Sequence, residues 1–185
     1  MQRYLLKIAF DGTDYHGWQV QPNGITVQEQ LQNSMAKIYG FAPNVTGCSS
    51  TDASVHAEEF FCHFDLEKKI PNDGIVNGLN SVLPTDIRVL DCKDVDSVFH
   101  ARYNAKSKTY QYKIDRRAIQ DPFSSRYSYR FGGNLNLADI SYFCSTLVGE
   151  HDFEGFSSAN RSVDETVRTI YSCGIKEEND HIILT

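Results

Sequence analysis

The stretch Tyr4-Leu5-Leu6-Lys7-Ile8-Ala9-Phe10-Asp11-Gly12 decides how the fold is read. Tyr4, Leu6, Ile8 and Phe10 fall on one side of a two-residue repeat and Leu5, Lys7 and Ala9 on the other. The segment therefore reads as a strand with one apolar face, ended by an Asp-Gly turn. Further along, Tyr15-His16-Gly17-Trp18 forms a loop, and Thr26-Val27-Gln28-Glu29 has capping-box spacing. Val27, Leu31, Met35 and Ile38 then recur at helical intervals until Gly40 stops the helix.

A short strand is expected near 44–48, followed by a Ser/Thr/Asp loop. The next strand sets Phe60, Cys62 and Phe64 on one face against Phe61 and His63 on the other. Asn72 is placed to cap a helix carrying Ile75, Leu79 and Val82 that ends at Pro84, and Ile87, Val89 and Asp91 form a further strand. The order β-α-β-β-α-β is that of a ferredoxin-like split βαβ unit and fills residues 1–105. In residues 106–185 the order starts again. A strand is expected at 109–114, then a long loop with Gly132-Gly133, a helix with Ile140, Phe143 and Leu147 ended by Gly149, and strands at 169–175 and 181–185. The fold class is α+β with an incomplete second half. Without a closing helix and strand, Thr185 is not expected to be the natural end of a complete fold.

Composition sets outer limits. The chain has 185 residues, 41% hydrophobic, with no apolar run long enough for a bilayer and no signal segment at its start, so a soluble protein of the cytoplasm is expected. Cys48, Cys62, Cys92, Cys144 and Cys173 lack the spacing of metal knuckles or redox pairs and read as reduced core residues. The formal charge of -6 argues mildly against an RNA partner. The charge is uneven, however. His100, Arg102, Lys106, Lys108, Lys113, Arg116, Arg117, Arg126 and Arg130 stand against only Asp115 and Asp121, interleaved with Tyr103, Tyr110, Tyr112, Phe123, Tyr127 and Tyr129. That combination suits phosphate contact plus base stacking, and equally a solvated hairpin.

The polar loop Gly47-Cys48-Ser49-Ser50-Thr51-Asp52-Ala53-Ser54-Val55-His56-Ala57 lies at a strand end, where side chains face solvent or a cleft. By residue type alone it is a turn, with His56 a half-buried hydrogen-bonded histidine. A hydrolase triad of Ser50 or Ser54 with His56 and Asp52 is disfavoured, because triad members project from separate elements and no GxSxG elbow is present. His56, Cys62 and His63 have no usual ligand spacing, so no metal is assigned.

Five segments together resemble the TruA family of tRNA pseudouridine synthases. They are Phe10-Asp11-Gly12-Thr13 with Tyr15-His16-Gly17-Trp18-Gln19, Thr51-Asp52-Ala53 with Val55-His56-Ala57, Phe99-His100-Ala101-Arg102 with Lys108-Thr109-Tyr110-Gln111-Tyr112, Gly149-Glu150-His151-Asp152-Phe153, and Val167-Arg168-Thr169-Ile170. The resemblance implies two ferredoxin-like halves sharing one continuous, mostly antiparallel sheet with helices on one face, and a homodimer gripping tRNA. It also implies a cofactor-free isomerisation of uridine to pseudouridine in the anticodon stem-loop. Asp52 would be the nucleophile and Tyr110 would meet the flipped uracil. His56, His100, Arg102, Lys106, Lys108 and Arg168 are candidate RNA contacts.

Two residues depart from the family pattern. Ser50 stands where the family usually has arginine, and a serine has neither the charge nor the donor fork to replace it. Ser54 stands where glycine is usual, which strains the turn if the backbone angle is positive. The family's C-terminal segment, with a further basic residue at the active site, would also lie beyond Thr185, so weak or no turnover is expected of the 185-residue chain. The alternative reading is a tRNA-binding relative impaired in catalysis.

Overall fold

A computed structural model describes residues 1–157 and 165–185, and the protein is α+β. It divides into two compact units, Met1–Ser107 and Lys108–Thr185. Among the described residues no helix is long and apolar enough to cross a membrane.

In the first unit, β1 (Gln2–Phe10) is central. It pairs antiparallel with β3 (Ala57–Leu66) on one side and β4 (Ile87–Val95) on the other, and β2 (Thr46–Gly47) adds to β3, giving the order β2-β3-β1-β4. The alternation read from Tyr4 to Phe10 holds: Tyr4, Leu6, Ile8 and Phe10 are buried together with Phe60, Cys62, Phe64 and Leu66 from β3. On this core lie α1 (Val27–Tyr39), through Val27, Leu31 and Met35, and α2 (Asn72–Val82), through Ile75 and Leu79. Each such side chain contributes about 1.5–3 kcal/mol on leaving water. Tyr4 ties sheet to helix entry as well, its hydroxyl donating to Ile70 O at 3.1 Å and accepting from Ile70 N–H at 2.8 Å.

The helix signals are partly confirmed. Thr26 caps α1 by accepting from Glu29 N–H at 3.3 Å, and Gly40 ends it at φ 79°. Asn72 does not cap α2. Pro71 is the cap residue and Asn72 is the first helical residue, its Oδ1 accepting from the Cys92 thiol at 3.7 Å. The fixed φ of proline, here -56°, starts the helix one residue earlier than expected. β4 also runs past Asp91 to Val95, because its pairing with β1 continues to Arg3.

On the sheet face opposite the helices, Arg3 grips Asp65 with Nε to Oδ1 at 2.8 Å and Nη2 to Oδ2 at 2.7 Å, and its Nη1 donates to Phe99 O at 2.7 Å. His63 is buried there and its Nδ1 accepts from Ala101 N–H at 3.1 Å, a role open only to the neutral ring. Burial, then the Arg3 and His100 charges, hold its pKa below the usual histidine value against the opposing pull of Asp65. The folded state therefore binds fewer protons than the unfolded chain. This stability is complete above about pH 6.5 and is lost as pH falls toward the depressed folded value. His63→Gln keeps an acceptor but does not titrate. Urea midpoints at pH 7 and pH 5 are expected to differ more for the native chain than for this variant; equal differences would remove His63 as the cause.

In the second unit, β5 (Tyr112–Asp115), β6 (Tyr129–Arg130), β9 (Ile175–Glu178) and β10 (His181–Leu184) form a sheet of order β6-β5-β10-β9. β7 (Gly149–Asp152) and β8 (Val167–Ile170) form a separate pair, and α3 (Leu137–Leu147) is capped by Asn136. Three expectations are corrected here. The strand placed at 109–114 begins only at Tyr112. The strand placed at 169–175 is two strands, β8 and β9. The segment after Gly149, taken only as the end of a helix, is β7. Gly149, at φ 115°, turns the chain straight from helix into strand.

Candidate active site

The loop from Gly47 to Ala57 lies against the segment from Asp11 to Trp18, backbone on backbone. A Cβ on Gly12 would stand 2.0 Å from Val55 O, and one on Gly17 would stand 2.2 Å from Thr51 O. Gly17 also has φ 80°, a conformation that side chains rarely adopt. Across this contact Trp18 N–H donates to Thr51 O at 3.2 Å and Ser54 N–H to Tyr15 O at 3.1 Å. Trp18 is buried against Phe60 with ring centroids 4.3 Å apart, and Gly47 passes so close that a Cβ would meet Trp18 Nε1 at 2.5 Å. Gln28 of α1 braces the outer chain: its Oε1 accepts from Val20 N–H at 2.9 Å and its Nε2 donates to Val45 O at 2.8 Å.

Tyr15 fixes the inner segment to the core. Its hydroxyl donates to Asp86 Oδ1 at 2.7 Å, and Asp11 N–H donates to Asp86 O at 2.9 Å. Burial first, and the Asp86 carboxylate second, push the Tyr15 hydroxyl well above its ordinary range, so it stays a donor. His56 anchors the far end of the loop. Its Nδ1 lies 3.0 Å from Asp11 Oδ1 and 3.1 Å from Gly12 N. A protonated Nδ1 donates to Asp11 and a bare one accepts from Gly12, one at a time, and either bond holds the ring in place.

Against that frame Asp52 is exposed at the loop apex, in a turn closed by Val55 N–H donating to Asp52 O at 3.3 Å. Ser50 is exposed two residues earlier and supplies no cation. Ser54 has φ 63°, the angle that favours glycine, at a cost of about 1–2 kcal/mol. Its Oγ donates to Thr13 O at 3.3 Å.

The other candidates fall into two groups. His100 Nδ1 accepts from Arg102 N–H at 3.2 Å and Tyr103 N–H at 3.4 Å while its ring stacks on Tyr103, so this histidine organises its own turn. Arg102, Lys106 and Lys108 are exposed in the turn and the irregular chain after it. Tyr110 precedes β5 and is 70% exposed, so it does not fill the sheet core. Arg168 lies exposed on β8, its Nη1 donating to Val167 O at 2.6 Å. The basic stretch is less free than its composition implies. Arg116 pairs with Glu177 at 2.9 Å, Arg117 with Asp115 at 2.8 Å, and Arg130 donates to Arg117 O at 3.3 Å.

Gly12, Tyr15 and Gly17 enter the sequence reading only as a turn, a loop and part of the family signature, and Asp86 not at all, although all four position the loop. The signal was present in the density of glycine and aromatic residues between Asp11 and Trp18. What it lacked was the partner, which lies some forty residues away.

Comparison with known proteins identifies the class. A family model described as tRNA pseudouridine synthase matches residues 143–185. The tRNA pseudouridine synthase A of Thermoanaerobacter sp. strain X514 is 41% identical over 182 residues, covering 98% of this chain and 75% of that protein. The enzyme of the same name from Exiguobacterium sibiricum is 41% identical over 183 residues, covering 99% of this chain and 73% of its own length. That of Halalkalibacterium halodurans is 40% identical, covering 100% and 71%. The class these likenesses define is an isomerase that acts on tRNA. Within it, the chain belongs to the tRNA pseudouridine synthase family.

Proposed function

We propose that this chain isomerises uridine to pseudouridine in the anticodon stem-loop of tRNA, with the Asp52 carboxylate as nucleophile. The observation that carries the reading is the exposed Asp52 apex on a loop whose backbone is locked to Gly12 and Gly17. A nucleophile gains most when its position is fixed before substrate arrives. The carboxylate divides a hard substitution into two steps. The glycosidic bond from uracil N1 to ribose breaks, the uracil turns while held, the bond from ribose to C5 forms, the C5 hydrogen leaves as a proton and N1 takes up a proton, so that the product is an isomer of the substrate. No cofactor enters this balance.

The exposed ring of Tyr110 is available to stack on the flipped uracil. Arg102, Lys106, Lys108 and Arg168 supply exposed cations for the phosphates, with the imidazole of His100 beside Arg102. The side chain of His56 serves the loop first and RNA second. The sheet order β2-β3-β1-β4 supports a ferredoxin-like first domain at 1–105, with a second domain at 106–185. A homodimer in the cytoplasm completes the proposal. A second reading, a tRNA-binding relative impaired in catalysis, draws on Ser50 and on the strained backbone at Ser54.

The substrate assignment is tested by incubating the chain with unmodified tRNA transcript and mapping pseudouridine by carbodiimide treatment and primer extension. Stops confined to the anticodon stem-loop are expected; stops only elsewhere in the tRNA would refute the assignment.

A further inference from the structure

The buried carboxylate of Asp115, at the end of β5, takes no part in the chemistry above, yet a whole loop is built on it. Arg117 closes on it with Nε to Oδ1 at 2.9 Å and Nη2 to Oδ2 at 2.8 Å, and Arg117 N–H donates to Oδ1 at 2.9 Å. The same guanidinium reaches onward: Nη1 lies 3.3 Å from Asp121 Oδ2, and Nη2 donates to Ser124 Oγ at 2.8 Å. Asp121 Oδ1 in turn accepts from Phe123 N–H at 3.0 Å, and Ser128 Oγ donates to Ser124 O at 2.9 Å. The loop closes where Phe131 N–H donates to Asp115 O at 2.9 Å. The Arg117 guanidinium holds the Asp115 carboxyl down to about 2, so the hub stays ionised at neutral pH.

The loop so tied presents its largest side chains to water. Phe123 is 91% exposed and Ile119 85%. A ring held out by an ordered backbone loses little entropy on meeting a partner. The surroundings indicate which partner. Phe123, Tyr127 and Tyr129 are exposed and stand in sequence among Ser124, Ser125, Arg126, Ser128 and Arg130. Exposed rings interspersed with hydroxyl and guanidinium side chains suit stacking on bases and contact with phosphates, whereas the centre of a protein interface is more apolar. On this loop Arg126 and Arg130 are exposed, whereas Arg116 and Arg117 are bound to Glu177 and to the Asp115–Asp121 pair. Exposed guanidinium groups beside exposed rings suit a polyanion that also stacks.

We infer that the 116–131 loop is a preformed RNA-contact finger, in which Phe123 stacks on an unpaired nucleotide of the tRNA and Arg117 is the positioning residue. The assignment rests on the tRNA reading above and adds a contact outside the Asp52 loop. Phe123→Ala removes an exposed ring and no charge. In filter binding with unmodified tRNA transcript it is expected to weaken affinity about tenfold, the scale of losing one stacked base, with an unchanged dependence on salt. Phe123→Trp is expected to restore affinity, and tRNA should quench its fluorescence, which stands out against that of the buried Trp18. Wild-type affinity in Phe123→Ala would overturn the inference. So would a variant whose only change is in self-association by sedimentation, since the loop would then face protein. Failure of the unaltered chain to bind tRNA would remove the tRNA reading itself, and the finger with it.

Discussion

Gly17→Ala is expected to destabilise the protein by about 3 kcal/mol, far more than the same change at Gly40. The two glycines have nearly the same φ, 80° and 79°, so an added Cβ incurs a similar conformational penalty at each, about 1–2 kcal/mol. Their surroundings differ. At Gly40 no atom lies within 4 Å of the added Cβ, while at Gly17 it meets Thr51 O at 2.2 Å. The obstacle is backbone and cannot swing aside as a side-chain tip would. Either the Thr51–Asp52 turn moves, breaking the Trp18 to Thr51 hydrogen bond, or the inner segment leaves its place on the core. Urea unfolding of both variants measures the difference, expected near 2 kcal/mol. Equal losses would mean that the loop yields to Gly17 freely and that its position is not fixed there.

Asp52→Asn is expected to lower pseudouridine formation at least about 10³-fold, a barrier change of about 4 kcal/mol, with tRNA affinity held within about twofold. The amide preserves shape and removes the anionic oxygen that would attack. Because Asp52 is exposed, the change leaves no charge buried without a partner and should not unfold the loop. Nucleoside composition of the treated tRNA gives the activity and filter binding gives the affinity. A fall in both together would assign Asp52 to RNA binding, not to the reaction.

The first unit was largely legible in the sequence because its patterns are local. The alternation from Tyr4 to Phe10 and the helical spacing from Val27 to Met35 each report burial on one face, and both faces meet in one core. Errors arose where a neighbour distant in sequence, or a fixed backbone, overrode the local signal. Pro71 displaced the cap expected at Asn72. Gly149 looked like a helix stop and also starts β7, because its partner β8 arrives only at Val167. In the basic stretch composition counted charges but could not count their partners: Arg116 and Arg117 are bound to Glu177 and to the Asp115–Asp121 pair. The conditional expectation for Ser54 carried a definite angle, and the structure supplies it at φ 63°. The grip of Gly12 and Gly17 on the Asp52 loop showed in the sequence only as a cluster of glycine and aromatic residues, without the distant backbone on which it closes.

Rearrangement of uracil on the ribose by Asp52 must expel the C5 hydrogen. The most direct measurement incubates the chain and its Asp52→Asn variant with tRNA transcript tritiated at uracil C5 and counts tritium released to water. Release by the unaltered chain is expected, even at low turnover, and none above background from Asp52→Asn; undiminished release from the variant would rule out Asp52 as the nucleophile, and salt-sensitive tRNA binding without release from either would favour the impaired relative.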